Sequence, residues 1–317
     1  MGCLYGANLA RIGAEVTLVD TWEKHVDQIK TYGLLMDGLH GEFTASVEAT
    51  TNPNDVPKAD MAIILVNAYA TSEAAESCRI LLKDDGFALT LQNGLGNVEV
   101  LQQVLGKDRV LAGLSFHSAD LKGPGVVSHT NKGPTYLGEL DGSSTARLSR
   151  LEALLERAGM QPVLEANIMT TIWGKFVHNC GINAVCAITN LRPGHIKDIE
   201  ALDEFQSNII KETLALVKAR GIEIPSKEPL TDVKEYCARK FHRVSMLQHL
   251  ARGQQTEIDA LNGYVVRQSK KLGLPCPYSE SLTALIKGLQ YLPAEDYEKP
   301  SGNPRLDPPP NTQVNHA

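Results

Sequence analysis

The sequence predicts an α/β fold: a doubly wound parallel sheet followed by an all-helical domain. Two observations carry this. In the first half, short apolar runs rich in β-branched residues alternate with stretches of helical period. Beyond Asn167 the apolar spacing stays near about 3.6 residues until the chain turns proline-rich.

Taken in order, residues 3–12 suit a helix of small residues with Leu4 and Leu9, ended by Gly13, and "EVTLVD" is a short strand. "TWEKHVDQIKTYG" is an amphipathic helix closed by Gly33, and "LLMDGLHGEFTASVEAT" gives one or two strands around Gly38 and Gly41. "KADMAIILVNAY" is almost wholly apolar, the pattern of a strand buried on both faces of a parallel sheet. "TSEAAESCRILLKDDG" is helical, "FALTLQNG" a second buried strand and "NVEVLQQVLG" helical again. From "RVLAGLSFHSAD" to "TYLGEL" short strands follow one another without helices, before the helix "STARLSRLEALLERAG" and a last strand, "QPVLEA". "IMTTIWGKFVHNCGINAVCAIT", "EFQSNIIKETLALVKARG", "VKEYCARKFHRVSMLQHLAR" and "TEIDALNGYVVRQSKKLG" each read as one long helix. The expected organisation is an α/β domain over residues 1–166, a helical domain over 167–295 and a disordered tail over 296–317, where apolar content is too low to pack.

At 317 residues the chain can bury two cores. A net charge of −6 argues against a nucleic-acid surface, which needs a clustered basic excess. No apolar run reaches the ~18 residues of a membrane span, and Arg11 and Glu15 interrupt any signal-peptide core. Six cysteines without a C-x-x-C pair read as reduced packing residues of a cytoplasmic protein. His117, His129, His178 and His195 lack metal-ligand spacing, and no G-x-S-x-G elbow occurs.

In a parallel sheet, ligands bind at the carboxyl ends of the strands. The opening "MGCLYGANLARIGAEVTLVD" has the form of the end of a glycine-rich dinucleotide loop running into its helix and second strand, so the sheet is expected to be Rossmann-like. Asp20 ends that strand 18 residues after Gly2, close to the spacing of an acid that binds an adenosine ribose. A carboxylate there repels a 2′-phosphate, which favours NAD(H); alternatively Asp20 caps the next helix together with Thr21. Asn67 and Tyr69 follow one strand and Asn93 the next, while Gly94 and Gly96 permit close backbone approach; "QNGLG" can equally be a plain turn.

In the helical half, Lys175, Asn179 and Asn183 are spaced by four and share one helix face. A cation with two amides along one stripe suits a polar ligand such as a 2-oxo acid; the alternative is an ordinary solvated lysine. Thr256, Glu257 and Asp259 approximate a capping pattern, in which Glu257 would sit in the first turn of a helix.

"MGCLYGANLARIGAEVTLVD", "LQNGLGN", "IWGKFVHNCGINAVCAIT" and "SMLQHLARGQQTEIDALNG" stand in the order and spacing of the ketopantoate reductase (2-dehydropantoate 2-reductase) family, which the chain resembles over roughly residues 1 to 290. The resemblance implies reduction of ketopantoate to pantoate in pantothenate biosynthesis, with NADP(H) as the cofactor. It matches Gly2 to the third glycine of the dinucleotide loop, so the family's first strand and first two glycines, about ten residues, are expected to precede Met1. Lys175 matches the general acid, and Glu257 a carboxylate that bonds the substrate hydroxyl. Asn93 matches a residue beside the nicotinamide that holds the lysine, and Ser245 the hydroxyl that binds the substrate carboxylate, with Asn179 and Asn183 as further contacts. Departures stand beside these matches. Asn67 replaces a common lysine, His249 stands where an acid is usual, and "TNLRPGHI" lacks an amide. With Asp20 they leave open an NAD-dependent reductase of another 2-oxo acid. A non-catalytic relative shortened at its start also stays open, its helical half serving as a binding or dimerisation module. The partners expected are a small 2-oxo acid and a second copy in a homodimer, with neither nucleic acid nor membrane.

Overall fold

A computed structural model describes residues 1–39 and 41–291. The tail expected over 296–317 lies outside the described residues. The chain divides into two compact units, residues 1–172 and Trp173 onward.

The first unit opens with helix α1 (Gly2–Arg11) and strand β1 (Thr17–Val19), then α2 (Glu23–Tyr32). Where one or two strands were expected, three short ones form: β2 (Leu34–Gly38), β3 (Phe43–Ala45) and β4 (Glu48–Thr50). The series β5 (Ala59–Ile64), α3 (Thr71–Leu81), β6 (Leu82–Thr90), α4 (Asn97–Leu105) and β7 (Val110–Ser115) follows. Three strands without helices come next, β8 (Ser118–Gly123), β9 (Val126–Asn131) and β10 (Thr135–Gly138), then α5 (Ala146–Arg157) and β11 (Pro162–Leu164).

These strands build a five-stranded sheet in the order β11-β10-β7-β6-β5, a four-stranded sheet β3-β2-β9-β8 and a two-stranded parallel sheet β1-β4. β5, β6 and β7 pair in parallel, joined by α3 and α4, which is the doubly wound core expected. Successive residues of its strands face opposite ways. Leu89 and Leu111 therefore join the cluster of Leu4, Tyr5, Leu151 and Leu155 from α1 and α5, whereas Ala88 and Val110 join Ala75, Cys78 and Leu101 from α3 and α4. One expectation is corrected. β5 was read as buried on both faces, but among the described residues it lies at the sheet's edge, paired with β6 alone, and only Ile64 of its residues is buried. An apolar run reports low polarity and says nothing about which strands lie alongside.

α1 is locked down by two contacts. The Tyr5 hydroxyl shares a 2.7 Å hydrogen bond with Thr135 Oγ1, and Gly6 lies where a Cβ would come within 2.7 Å of Leu18 on β1.

The second unit continues α6 (Ile168–Thr189), an unbroken helix over the 22 residues anticipated, followed by α7 (Glu200–Ala219). The stretch "VKEYCARKFHRVSMLQHLAR" was expected to be one helix. It forms two, α8 (Pro229–Ala238) and α9 (Ser245–Ala251). A tertiary tether overrides the local period: the Gly194 amide donates to the Lys240 carbonyl at 2.8 Å, and the Phe241 ring packs on Gly194. "TEIDALNGYVVRQSKKLG" likewise splits into a 3-10 turn, Ile258–Ala260, and α10 (Asn262–Leu272), with α11 (Pro277–Leu289) closing the described chain. The rings of Trp173, Phe176 and Tyr264 meet edge to face in its core. All six cysteines are free, and no helix among the described residues is long and apolar enough to cross a membrane.

Glu212 on α7 caps α11 from outside: its carboxylate accepts the Tyr278 and Ser279 amides and the Ser279 hydroxyl at 2.6–2.8 Å. Glu212→Ala is expected to destabilise the protein by about 1–3 kcal/mol, the range of a lost cap and charged hydrogen bond, read as a lower urea midpoint.

Candidate active site

In the first unit, the residues singled out from the sequence gather on loops at strand ends. Asp20 follows β1 and is exposed; its Oδ1 accepts the Trp22 amide at 2.9 Å. It therefore braces the turn before α2 without occupying that helix's N-cap, which is Trp22. Asn67 follows β5 and donates to the Tyr69 hydroxyl at 2.9 Å.

The loops after β5 and β6 are sewn together by residues for which the sequence predicts no role. Gln92 donates to the Val66 carbonyl and to Thr71 Oγ1, each at 2.9 Å. The Thr71 hydroxyl in turn contacts Asn97 Oδ1 at 2.9 Å, and Asn97 donates to the Asn93 carbonyl at 2.9 Å. Their types, short polar side chains just past apolar strands, were the available signal. The loop bounds a shallow cleft lined by Gly94, Leu95, Gly96, Asn97 and Gly113 among others. Gly94 and Gly96 hold φ of 81° and 100°, a region costly for residues with a Cβ, so this stretch can be bare backbone only if glycine fills it. At Gly2, the first residue of α1, a Cβ would meet nothing within 4 Å. A nicotinamide dinucleotide fits these features: a side-chain-free loop before α4 and an exposed carboxylate after β1. The close helix–strand approach that a third loop glycine often serves is made here by Gly6, which the sequence reading did not single out.

In the second unit, α6 carries Lys175, Asn179 and Asn183 on one face while Trp173, Phe176, Val177 and Cys180 are buried in the core. Asn183, Ser245 and Glu257 line one small cleft with Met246, His249 and Leu261. Ser245 reaches it because the break before α9 restarts the helix at that residue. Glu257 is only 7% exposed. The capping box expected around it is formed only in part: Thr256 Oγ1 accepts the Ile258 amide at 3.3 Å, as an N-cap hydroxyl would, but the box is not closed. Thr256 donates its hydroxyl to Gln290 at 2.6 Å, and Glu257 precedes the short 3-10 turn, its carbonyl accepting the Ala260 amide at 3.0 Å. Asp259 pairs with Lys287 at 2.9 Å instead of closing a capping box.

Lys175 is not an ordinary solvated lysine. Desolvation pulls its ammonium down to about 8, and the Glu257 charge acts against that fall. A weakly acidic cation that feels a buried carboxylate can hold an oxyanion and pass it a proton; Lys175 and Asn179 are not among the residues lining the cleft of Asn183, Ser245 and Glu257. Among the described residues no group of three or more histidines, cysteines and carboxylates could hold a metal ion.

A parallel α/β unit with dinucleotide-loop features, followed by a helical unit bearing a desolvated lysine, points to a nicotinamide-dependent oxidoreductase. Comparison with known proteins narrows the class. Residues 1–142 match the family described as Ketopantoate reductase PanE/ApbA, and residues 167–290 match Ketopantoate reductase PanE/ApbA C terminal. The chain is 31% identical over 294 residues to the 2-dehydropantoate 2-reductase of Pyrococcus horikoshii, covering 92% of this chain and 95% of that protein. The PanE/ApbA family ketopantoate reductase of Ralstonia eutropha JMP134 superposes with a TM-score of 0.85 at 30% identity, covering 91% and 94% of the two chains. A D-mandelate dehydrogenase in a ternary structure with NADH and anilino(oxo)acetate superposes at 0.82 with 25% identity, covering 90% and 94%. The chain belongs to the ketopantoate reductase family.

If Glu257 supports the Lys175 ammonium, Glu257→Gln will move the lysine further below about 8, seen by NMR of ¹³C-methylated lysines. A pKa that stays or rises contradicts the coupling.

Proposed function

We propose that the protein reduces ketopantoate to pantoate, with Lys175 as the proton donor. The observation that carries this is the desolvated Lys175 ammonium whose acidity Glu257 modulates, in a unit whose cleft gathers Asn183, Ser245 and Glu257. The bound dinucleotide supplies a hydride to the ketone carbon. As charge builds on the carbonyl oxygen, the Lys175 ammonium stabilises it and then donates its proton, leaving a neutral amine and an alcohol. A group with a pKa of about 8 is mostly protonated at pH 7, yet gives its proton up more readily than an unperturbed lysine. Glu257 accepts from the substrate hydroxyl, Ser245 donates to its carboxylate, and Asn179 and Asn183 bond its remaining oxygens. In the first unit, Gly2, Asn67, Asn93 and Gly94 form the dinucleotide seat.

The pH dependence follows from the sign of the lysine's shift. Because the cation is the active form, kcat/KM for reduction should be level below about pH 8 and fall about tenfold per unit above it. Lys175→Ala should lower kcat by about a hundred- to ten-thousand-fold, the usual contribution of a general acid, with little change in dinucleotide affinity. Steady-state rates with ketopantoate check both; a variant that keeps full turnover overturns the assignment.

A second statement concerns the cofactor. The exposed Asp20 carboxylate, placed just after β1, disfavours a 2′-phosphate, and the D-mandelate dehydrogenase relative holds NADH. We assign NADH as the preferred reductant. Asp20→Ala should raise affinity for NADPH relative to NADH by about tenfold, roughly the ~1.4 kcal/mol expected of one removed charge repulsion, measured by nucleotide fluorescence titration. Equal affinities in the parent protein would refute the preference.

A further inference from the structure

His249 lines the second-unit cleft with Ser245, Asn183 and Glu257. α9 places Ser245 and His249 four residues apart, so both point to the same side of the helix. The Nδ1 of His249 is buried and has no hydrogen-bond partner among the described residues. A buried polar nitrogen left unsatisfied is costly and uncommon, and at a ligand cleft the ligand is the natural partner. We propose that His249 contacts the substrate directly and determines specificity: its imidazole N–H and the Ser245 hydroxyl form a two-donor seat for the carboxylate of the bound 2-oxo acid. This rests on the cleft taking a 2-oxo acid, as argued above.

The chemistry of the cleft orients that ligand. Glu257, when ionised, only accepts hydrogen bonds, so it suits the end of the substrate that donates, its hydroxyl. The α9 side offers a hydroxyl and an imidazole, which donate, and suits the end that accepts, its carboxylate. Burial and the Arg252 charge push the imidazole below its ordinary value, so at neutral pH it acts as a neutral donor. The seat thus consists of oriented dipoles without a formal charge of its own. A carboxylate at position 249 would place an acceptor where the substrate is itself an acceptor. His249 therefore widens the preference toward 2-oxo acids that are held by the acid group alone.

The test compares the full-length protein with His249→Leu and His249→Gln, by isothermal titration of pantoate and of its uncharged amide, alongside kcat and KM for ketopantoate. All three proteins are first checked for matching melting curves. His249→Leu should weaken pantoate, and raise KM, by about tenfold or more, the range for a hydrogen bond to a charged group. The amide should change less than about twofold and kcat less than about threefold, since hydrogen bonds between neutral groups are the weaker kind. Glutamine, which keeps a donor, should restore pantoate binding to within about threefold. A leucine variant that binds pantoate as the parent does, or that loses pantoate and amide equally, overturns the proposal. A parent protein that binds neither compound and reduces no ketopantoate overturns the functional reading, and this inference with it. The two failures are separate: one shows in the parent, the other in the difference between parent and variant.

Discussion

A lysine ammonium taken out of water is the constraint around which the second unit is organised. Desolvation disfavours the cation, and only a nearby carboxylate makes retaining it tolerable at neutral pH. Lys175 on α6 feels the Glu257 charge against that desolvation. Glu257 is itself buried on a short turn that Thr256 anchors to Gln290 at the far end of α11. The lysine's acidity is thus set by packing between segments about eighty residues apart in sequence. Loosening the 256–290 contact would let water in, and the lysine would return toward its ordinary basicity.

The first unit solves a different problem with the same economy of parts. A loop that presents backbone to a ligand has few side chains to hold itself in shape. Here Gln92, Thr71 and Asn97 bind the loops after β5 and β6 to each other, so Gly94 and Gly96 can remain bare without the loop collapsing. Gly6 does the corresponding work for α1, letting it approach β1 closely. Rigidity comes from polar side chains behind the loop, and access comes from glycine in front of it.

Helices α9 and α10 show how function and local propensity diverge. An apolar period that would run unbroken from 233 to 251 is interrupted by the tether between Gly194 and Lys240. The helix restarts at Ser245 and so presents Ser245 and His249 to the cleft from its first two turns. A continuous helix would have placed both on a different axis.

Much of the fold was legible because it is written in local terms. Alternating apolar runs and helical periods mark β5-α3-β6-α4-β7 and the 22 residues of α6, since burial of one face imposes a period on any chain. The stripe of Lys175, Asn179 and Asn183 was equally visible, because helical geometry alone puts residues four apart on one face. Other features were invisible for a physical reason: they depend on which distant residues are neighbours. The break before α9 and the loss of Asp259 from the capping box to Lys287 arise from long-range partners that outweigh local preference, and the place of β5 in the sheet depends on which strands lie beside it. The same holds for the acidity of Lys175. Its type and place on the helix are sequence properties, but its protonation behaviour comes from solvent exclusion and a carboxylate brought near by folding.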